Sequence, residues 1–205
     1  MAHAERGVRL FVGAFLTQPN QSFYDHFVAR LVATEPGVLR PIPSRSVHLT
    51  CVFCADVPDP FVDEFNEAAR AVAAGQHSFL IGVVAPQVLL AGRTPRLVSA
   101  DIADGHASLD RMTASLVESL VTRCPGLDLR PTRSPHLTLA RFRRQATRED
   151  AERVTGLLER VGGAEMRREE RVSRLQVIES TLTSAQPIYK VRLDAPFLDA
   201  GPDIV

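Results

Sequence analysis

The tripeptide His-Leu-Thr occurs at residues 48–50 and again at 136–138, each time inside a run that reads as a β-strand. The runs are Val47 to Phe53 and His136 to Phe142. Residues i and i+2 of a strand share a face. Each copy therefore places an imidazole and a hydroxyl on one side and sends its leucine to the other. One copy per half of a 205-residue chain predicts two related half-sites facing a common cleft.

The remaining sequence sets bounds on that arrangement. The length suits one domain or two small lobes sharing a core. A formal net charge of zero gives no support to a general nucleic-acid coat or a membrane-surface role. No apolar run reaches the ~18 residues of a membrane span, and Met1 to Gly7 lacks the apolar core of a signal peptide. A cytoplasmic protein without a membrane partner is expected. Cys51, Cys54 and Cys124 are too few for a disulfide framework. Cys51-x-x-Cys54 has metal or redox spacing, but no second Cys or Cys/His pair lies near it in sequence to complete a tetrahedral site. These thiols are read as buried small hydrophobes, and no metal and no cofactor is expected.

Hydrophobic periodicity gives an α+β order. Val8, Leu10, Val12, Ala14 and Leu16 alternate as a first strand. Ser22 with Asp25 resembles a capping box opening a helix with Phe23, Phe27, Val28, Leu31 and Val32 on one face, stopped by Pro36-Gly37. Val38 to Ile42 and Val47 to Phe53 are strands. Asp59 is expected to cap a helix with Pro60 at its first position, buried through Phe61, Phe65, Ala68, Ala69 and Val72. Phe79 to Val84, Val88 to Ala91 and Leu97 to Ile102 read as three short strands. A helix follows from about His106, with Leu109, Met112, Leu116, Val117 and Leu120 inward, closed by Pro125-Gly126. After the second His-Leu-Thr strand, Thr147 and Asp150 open a helix with Val154, Leu157, Leu158 and Val161 inward. Val172 to Ile178 and Ile188 to Leu193 end the chain as strands. The expected architecture is α+β and bilobal. Two antiparallel sheets with outer helices are related by an approximate two-fold around a central cleft. No Pro/Gly/Ser-rich linker divides the halves, so residues 1–205 read as a single bilobal domain.

Paired His-x-Thr units suit phosphodiester chemistry. Opening a cyclic phosphodiester needs a base to deprotonate water and an acid to protonate the leaving oxygen, on opposite sides of phosphorus. Histidine, with an ordinary pKa of roughly 6.5, serves as either near neutrality. A threonine hydroxyl two residues along can donate to a non-bridging oxygen as charge builds there. Around the second copy, Leu129 to Arg148 holds no acidic residue but six arginines, Arg130, Arg133, Arg141, Arg143, Arg144 and Arg148. Guanidinium groups match phosphate bidentately, although the same run also reads as a solvated basic edge that protects a strand. On a regular strand Arg141 would face away from His136, although a bulge or the strand end could swing it toward the cleft. His3, His26, His77 and His106 lack a repeated context and read as surface or capping residues. No Gly-x-Ser-x-Gly elbow, Walker loop or Gly-x-Gly-x-x-Gly is present.

With these residues in view the chain resembles the 2H phosphoesterases, and among them the RNA 2′,3′-cyclic phosphodiesterases also called 2′-5′ RNA ligases. The resemblance runs through Val8-Arg-Leu-Phe-Val-Gly-Ala-Phe15, Ser46-Val-His-Leu-Thr50 and Pro95-Arg-Leu-Val98. It continues in Ser134-Pro-His-Leu-Thr-Leu-Ala-Arg141, Val177-Ile-Glu-Ser180 and Ile188-Tyr-Lys-Val191. It implies metal-independent opening of a terminal 2′,3′-cyclic phosphate to a 2′-phosphate. By motif position it implies His48 as the acid, His136 as the base, Thr50 and Thr138 on the phosphate oxygens, and Arg141 as a phosphate contact. The implied partner is RNA with a 2′,3′-cyclic phosphate end or a cyclic nucleotide, and a monomer is expected. Cys51 replaces the leucine or arginine usual after the first motif, and Phe53-Cys54-Ala55-Asp56 lacks the usual glycine. Two other readings stay open: 2′-5′ RNA ligation, and a module that binds RNA ends or nucleotides without turnover.

Overall fold

Strand β1, Val8–Phe15, buries Leu10, Val12 and Ala14 on one face and turns Arg9, Phe11, Gly13 and Phe15 to the other. The computed structural model describes residues 7–161, 166–184 and 186–200. After β1 come α1 (Gln18–Thr34), β2 (Leu39–Pro41), β3 (His48–Val57), α2 (Asp59–Ala73), β4 (Phe79–Ala91) and β5 (Thr94–Asp104). Then follow α3 (His106–Arg123), β6 (Leu129–Pro131), β7 (His136–Phe142), α4 (Arg148–Val161), β8 (Arg168–Val172), β9 (Arg174–Thr181) and β10 (Ile188–Pro196).

The strands form two five-stranded antiparallel sheets. The first has the order β10-β9-β1-β3-β6 and the second β8-β4-β5-β7-β2. The orders match strand for strand, so β3 corresponds to β7, β1 to β5 and β6 to β2. Helices α2 and α3 cover the first sheet, and α1 and α4 cover the second. The edge strands are exchanged between halves. Leu39–Pro41 from the first half borders β7, and Leu129–Pro131 from the second half borders β3. Both edges read Leu-Arg-Pro, a second internal repeat. One hydrophobic cluster runs through residues of both sheets, including Leu10, Leu49, Val98 and Leu137. In it Phe65 of α2 is fully buried, worth about 2–3 kcal/mol against leaving it exposed.

Several elements depart from the sequence reading. Helix α1 starts at Gln18, with Thr17 at its cap and Pro19 in its first turn, so Ser22 and Asp25 do not form a capping box. Asp25 instead accepts hydrogen bonds from Ser44 Oγ (2.7 Å) and Ser44 N (3.3 Å). The start of α1 is held from across the fold by buried Glu170 of β8. Its carboxylate accepts from Thr17 N (2.9 Å), Thr17 Oγ1 (3.1 Å) and Asn20 Nδ2 (2.6 Å). Helix N-termini favour such negative charge. Burial pushes this carboxyl up, while the Asn20 and Thr17 bonds pull it down. Glu170→Ala orphans three donors at once and should cost about 3 kcal/mol, read as a lower midpoint in chemical denaturation with an unchanged slope.

Asp59 is the first residue of α2 rather than its cap, which is Pro58. The two strands expected over 79–84 and 88–91 are one, β4. A register shift between Val83 and Pro86 absorbs the proline that interrupts the pattern. Gly92, at φ +61°, turns β4 into β5. The run 172–178 is split at Ser173, where the chain passes from the second sheet to the first. Strand β6, only three residues long, has no counterpart in the sequence reading. The Thr147–Asp150 capping box forms as expected: Asp150 N donates to Thr147 Oγ1 (3.2 Å) and Thr147 N to Asp150 Oδ2 (2.7 Å).

Candidate active site

The two His-Leu-Thr strands repeat one another in burial, residue by residue. In β3, Leu49, Cys51, Val52 and Cys54 are buried, while His48, Thr50 and Phe53 are part-exposed. In β7, Leu137, Leu139, Ala140 and Phe142 are buried, while His136, Thr138 and Arg141 are part-exposed. Both strands thus break their alternation between the third and fourth residues after histidine. The cause is a bulge in each ladder. The register jumps between Val12/Val52 and Gly13/Thr50 in one sheet and between Val98/Ala140 and Ser99/Thr138 in the other. Cys51 and Leu139 are the extra residues. The bulge reverses the strand phase, so Arg141 comes round to the face of His136 and Thr138. Phe53 holds the corresponding place in the first sheet, with the Arg9 guanidinium 4.3 Å from its ring centroid.

Each histidine is pinned in the same way. His48 Nδ1 donates to Ser46 O (2.7 Å) and His136 Nδ1 to Ser134 O (3.0 Å). A carbonyl only accepts, so Nδ1 carries the proton and the reactive nitrogen of each ring is Nε2. Both tethers come from a longer repeat, Arg45-Ser-x-His48 and Arg133-Ser-x-His136. Strands β3 and β7 approach one another where the sheets meet. His136 and Arg141 are near enough for their charges to act on His48. Among the described residues, neither Thr50, Thr138 nor Arg141 has a side-chain hydrogen-bond partner. The structure thus brings His48, His136 and Arg141 within electrostatic reach of one another, with Thr50 and Thr138 each on the face of its own strand's histidine.

It also adds residues that the sequence reading passed over. His48 stacks on Phe11 (centroids 4.6 Å, 28°) and meets Phe15 (5.9 Å) and Tyr189 of β10 (5.1 Å) edge-on. The alternation of β1 contained the signal, since the core set Leu10, Val12 and Ala14 sends Phe11, Gly13 and Phe15 to the site face. Burial among these rings lowers the His48 pKa to about 4, offset in part by the Ser46 bond and reinforced by Arg141 and His136. Because that folded value lies below the ordinary 6.5, the unfolded chain binds the proton more readily. Folded stability should therefore fall as pH drops from about 6.5 to about 4. A histidine NMR titration is expected to place the His48 midpoint well below that of an exposed histidine. Inorganic phosphate should raise it, since an anion at Nε2 favours the imidazolium. An ordinary midpoint unmoved by phosphate would contradict this site.

The cysteines offer no nucleophile. All three are buried, and burial pushes the Cys51 thiol up to about 12, far from the thiolate that reactivity requires. No three His, Cys, Asp or Glu side chains among the described residues are grouped to hold a metal ion. No helix among them is long and apolar enough to cross a membrane.

An α+β fold of two antiparallel sheets with paired His-x-Thr strands defines a phosphoester-processing class of protein. The family model of the 2′-5′ RNA ligase superfamily matches residues 28–182. The chain belongs to that superfamily, which falls among the 2H phosphoesterases. Solved structures share the fold. The Thermus thermophilus protein TT0787 is 20% identical, with TM-score 0.70, covering 92% of this chain and 97% of its own. E. coli LigT complexed with phosphate is 18% identical, with TM-score 0.65 and coverages of 94% and 99%. E. coli LigT complexed with 3′-AMP is 16% identical, with TM-score 0.67 and coverages of 93% and 98%. A comparison with curated proteins finds no sequence match.

Proposed function

We propose that the protein hydrolyses 2′,3′-cyclic phosphate ends of RNA or nucleotides to 2′-phosphates, without a metal ion or cofactor. The observation that carries this reading is the pair of imidazoles, each tethered through Nδ1 two residues back on corresponding strands. Such a pair lets one Nε2 accept a proton while the other gives one. Water loses its proton to the first imidazole as its oxygen bonds to phosphorus. The P–O3′ bond breaks, and the second imidazole protonates the departing 3′ oxygen. Thr50 and Thr138 donate to the non-bridging oxygens, and Arg141 balances their charge. Superfamily membership and the phosphate and 3′-AMP found with LigT support a phosphorylated nucleotide as ligand. Both half-sites lie on one chain, so residues 1–205 are taken as a single bilobal domain acting as a monomer in the cytoplasm.

The resemblance gives the acid role to His48. Its aromatic surroundings oppose that, because an acid must hold its proton until the leaving oxygen needs it.

The deciding experiment is a screen of 2′,3′-cyclic mononucleotides and cyclic-phosphate-ended RNA, with the product identified as 2′- or 3′-phosphate and a parallel arm containing 5′-hydroxyl RNA. Release of 2′-phosphate, unchanged by EDTA, is expected. Joined strands would show the ligase reading, in which a 5′-hydroxyl replaces water as the nucleophile and each imidazole keeps its role. Tight binding without product would show a recognition module.

A further inference from the structure

Strand β1 brings an arginine to the site face as well as aromatic rings. Arg9 lies two residues before Phe11 and shares its face. Its guanidinium lies over Phe53, 4.3 Å from the ring centroid. Phe53 in turn lies directly opposite Phe11 across the β1–β3 ladder, and Phe11 carries the His48 ring at 4.6 Å. Arg9 thus stands one ladder step from the ring on which His48 stacks.

Among the described residues Arg9 makes no ion pair, and its Nε is closed off from water without an acceptor. Arg130, across the next ladder from Phe53, is by contrast held by Asp128 at 2.6 Å. Burying a donor unbonded costs free energy, and more so when it carries charge. An anion that supplies the acceptor removes that cost. A guanidinium over an aromatic ring keeps its in-plane N–H groups for such a ligand. Tyr189 of β10 relates Arg9 to the reacting phosphate. Its ring centroid is 5.1 Å from that of His48 and 5.5 Å from that of Phe11, and Arg9 and Arg141 are both near enough for their charges to act on its phenol. Two guanidiniums, one from each sheet, therefore reach the same tyrosine beside the imidazole. Arg141 is taken by the reacting phosphate in the reaction above, which leaves Arg9 for a second anion.

We propose that Arg9, seated on Phe53, binds a phosphoryl group on the 5′ oxygen of the terminal nucleotide, so that the substrate is a cyclic-phosphate end carrying a second phosphate. This deepens the hydrolase reading and rests on it for the reaction. The cyclic phosphate engages both the 2′ and the 3′ oxygen, so such a substrate extends through its 5′ oxygen. The next phosphate of an RNA strand is attached there, and the 5′-phosphate of a lone nucleotide occupies the same position. Both sources present anionic non-bridging oxygens to one guanidinium. Thr50, Thr138 and Arg141 stay with the reacting phosphate. Arg9 adds a contact that a cyclic mononucleotide without a 5′-phosphate does not make.

Binding tests this without turnover. Adenosine 2′-phosphate, adenosine 2′,5′-bisphosphate and a dinucleotide ending in a 2′-phosphate are each titrated into the full chain by calorimetry. The wild-type protein should bind the last two at least about tenfold more tightly than the first, the scale of one charge-assisted contact. Arg9→Met, which keeps an aliphatic chain over Phe53, should remove most of that preference. Arg9→Lys should retain part of it, since an ammonium keeps the charge without the planar fork. For the dinucleotide, the slope of log Kd against log salt should fall by about 0.7 in Arg9→Met, the single-strand value for one phosphate contact. A lost packing contact would not move that slope. Tighter binding of the bisphosphate than of the dinucleotide would assign the group to a terminal 5′-phosphate, and the reverse order or equality to an RNA strand; both uphold the subsite. Equal wild-type affinity for all three ligands, or a loss by one common factor in Arg9→Met, would overturn it. If Arg9→Met does not fold, Phe53→Leu removes the ring beneath the guanidinium and keeps the charge. It should reduce the preference by a smaller factor, and an unchanged preference would overturn the proposal. In turnover the preference should appear in KM, comparing cyclic-phosphate-ended dinucleotide with cyclic mononucleotide. If wild-type protein leaves every cyclic phosphate intact, the hydrolase reading fails, while the affinities still decide the role of Arg9.

Discussion

His48→Ala and His136→Ala should each remove turnover of 2′,3′-cyclic ends by about 10²- to 10⁴-fold, the range for losing one positioned acid or base. The effect is expected in kcat more than in KM, because neither ring has to hold the ground-state phosphate while Thr50, Thr138 and Arg141 remain. The double variant should be little worse than either single one, since the two rings act as a unit and their losses do not add. Stability is the control. Both side chains are part-exposed on the site face, so truncation leaves the buried layer of Leu49 and Leu137 intact. Removing His48 also removes a group whose protonation the fold resists. His48→Ala should therefore lose less stability than wild type between about pH 6.5 and pH 4, the window between the ordinary and folded midpoints of His48. Full activity in either variant, with the fold intact by circular dichroism, would end the acid–base reading.

Arg141 shows where sequence reasoning reached and where it stopped. Alternation alone turns it away from His136, and only pairing with β5 shows that Leu139 bulges and reverses the phase. A bulge belongs to the ladder between two strands, so no single strand's pattern contains it. The same holds for the split at Ser173, where one apolar run serves two sheets. Local signals are more dependable where the partner lies within a few residues. Thr147 and Asp150 cap α4 as read, whereas Ser22 and Asp25 do not cap α1, because Glu170 from distant β8 holds that start through Thr17 and Asn20.

Some information is present in the sequence beyond the motif itself. Leu-Arg-Pro at 39–41 and 129–131 and Arg-Ser at 45–46 and 133–134 extend the His-Leu-Thr repeat upstream. They mark the exchanged edge strands and the carbonyls that pin both rings. The residues across the ladder from the two histidines, Phe15 and Asp101, lie on partner strands with no motif of their own. Their importance depends on register, which a single sequence does not display.

Gly13→Ala should be among the most damaging single changes in the chain. A Cβ at this position would lie 2.0 Å from Leu49 O, a backbone atom held in the ladder between His48 and Thr50. No rotamer relieves such a contact, so β1 and β3 must separate where the bulge sets the phase of the first half-site. About 3 kcal/mol of stability should be lost, the upper end of overpacking costs, lowering Tm by roughly 6–12 °C for a chain of this size. The second sheet supplies the comparison. Ser99 holds the same register position opposite Thr138, fully buried, and carries a Cβ there without difficulty. Ser99→Gly should cost only about 1 kcal/mol through added backbone freedom. Activity should separate the two further. In Gly13→Ala protein that remains folded at low temperature, displacement of His48 and Thr50 should reduce kcat by at least about tenfold, because an error near 1 Å in a catalytic group is costly. Wild-type Tm and kcat in Gly13→Ala would show that the β1–β3 ladder opens freely, and that the glycine is not what lets these strands close beneath His48.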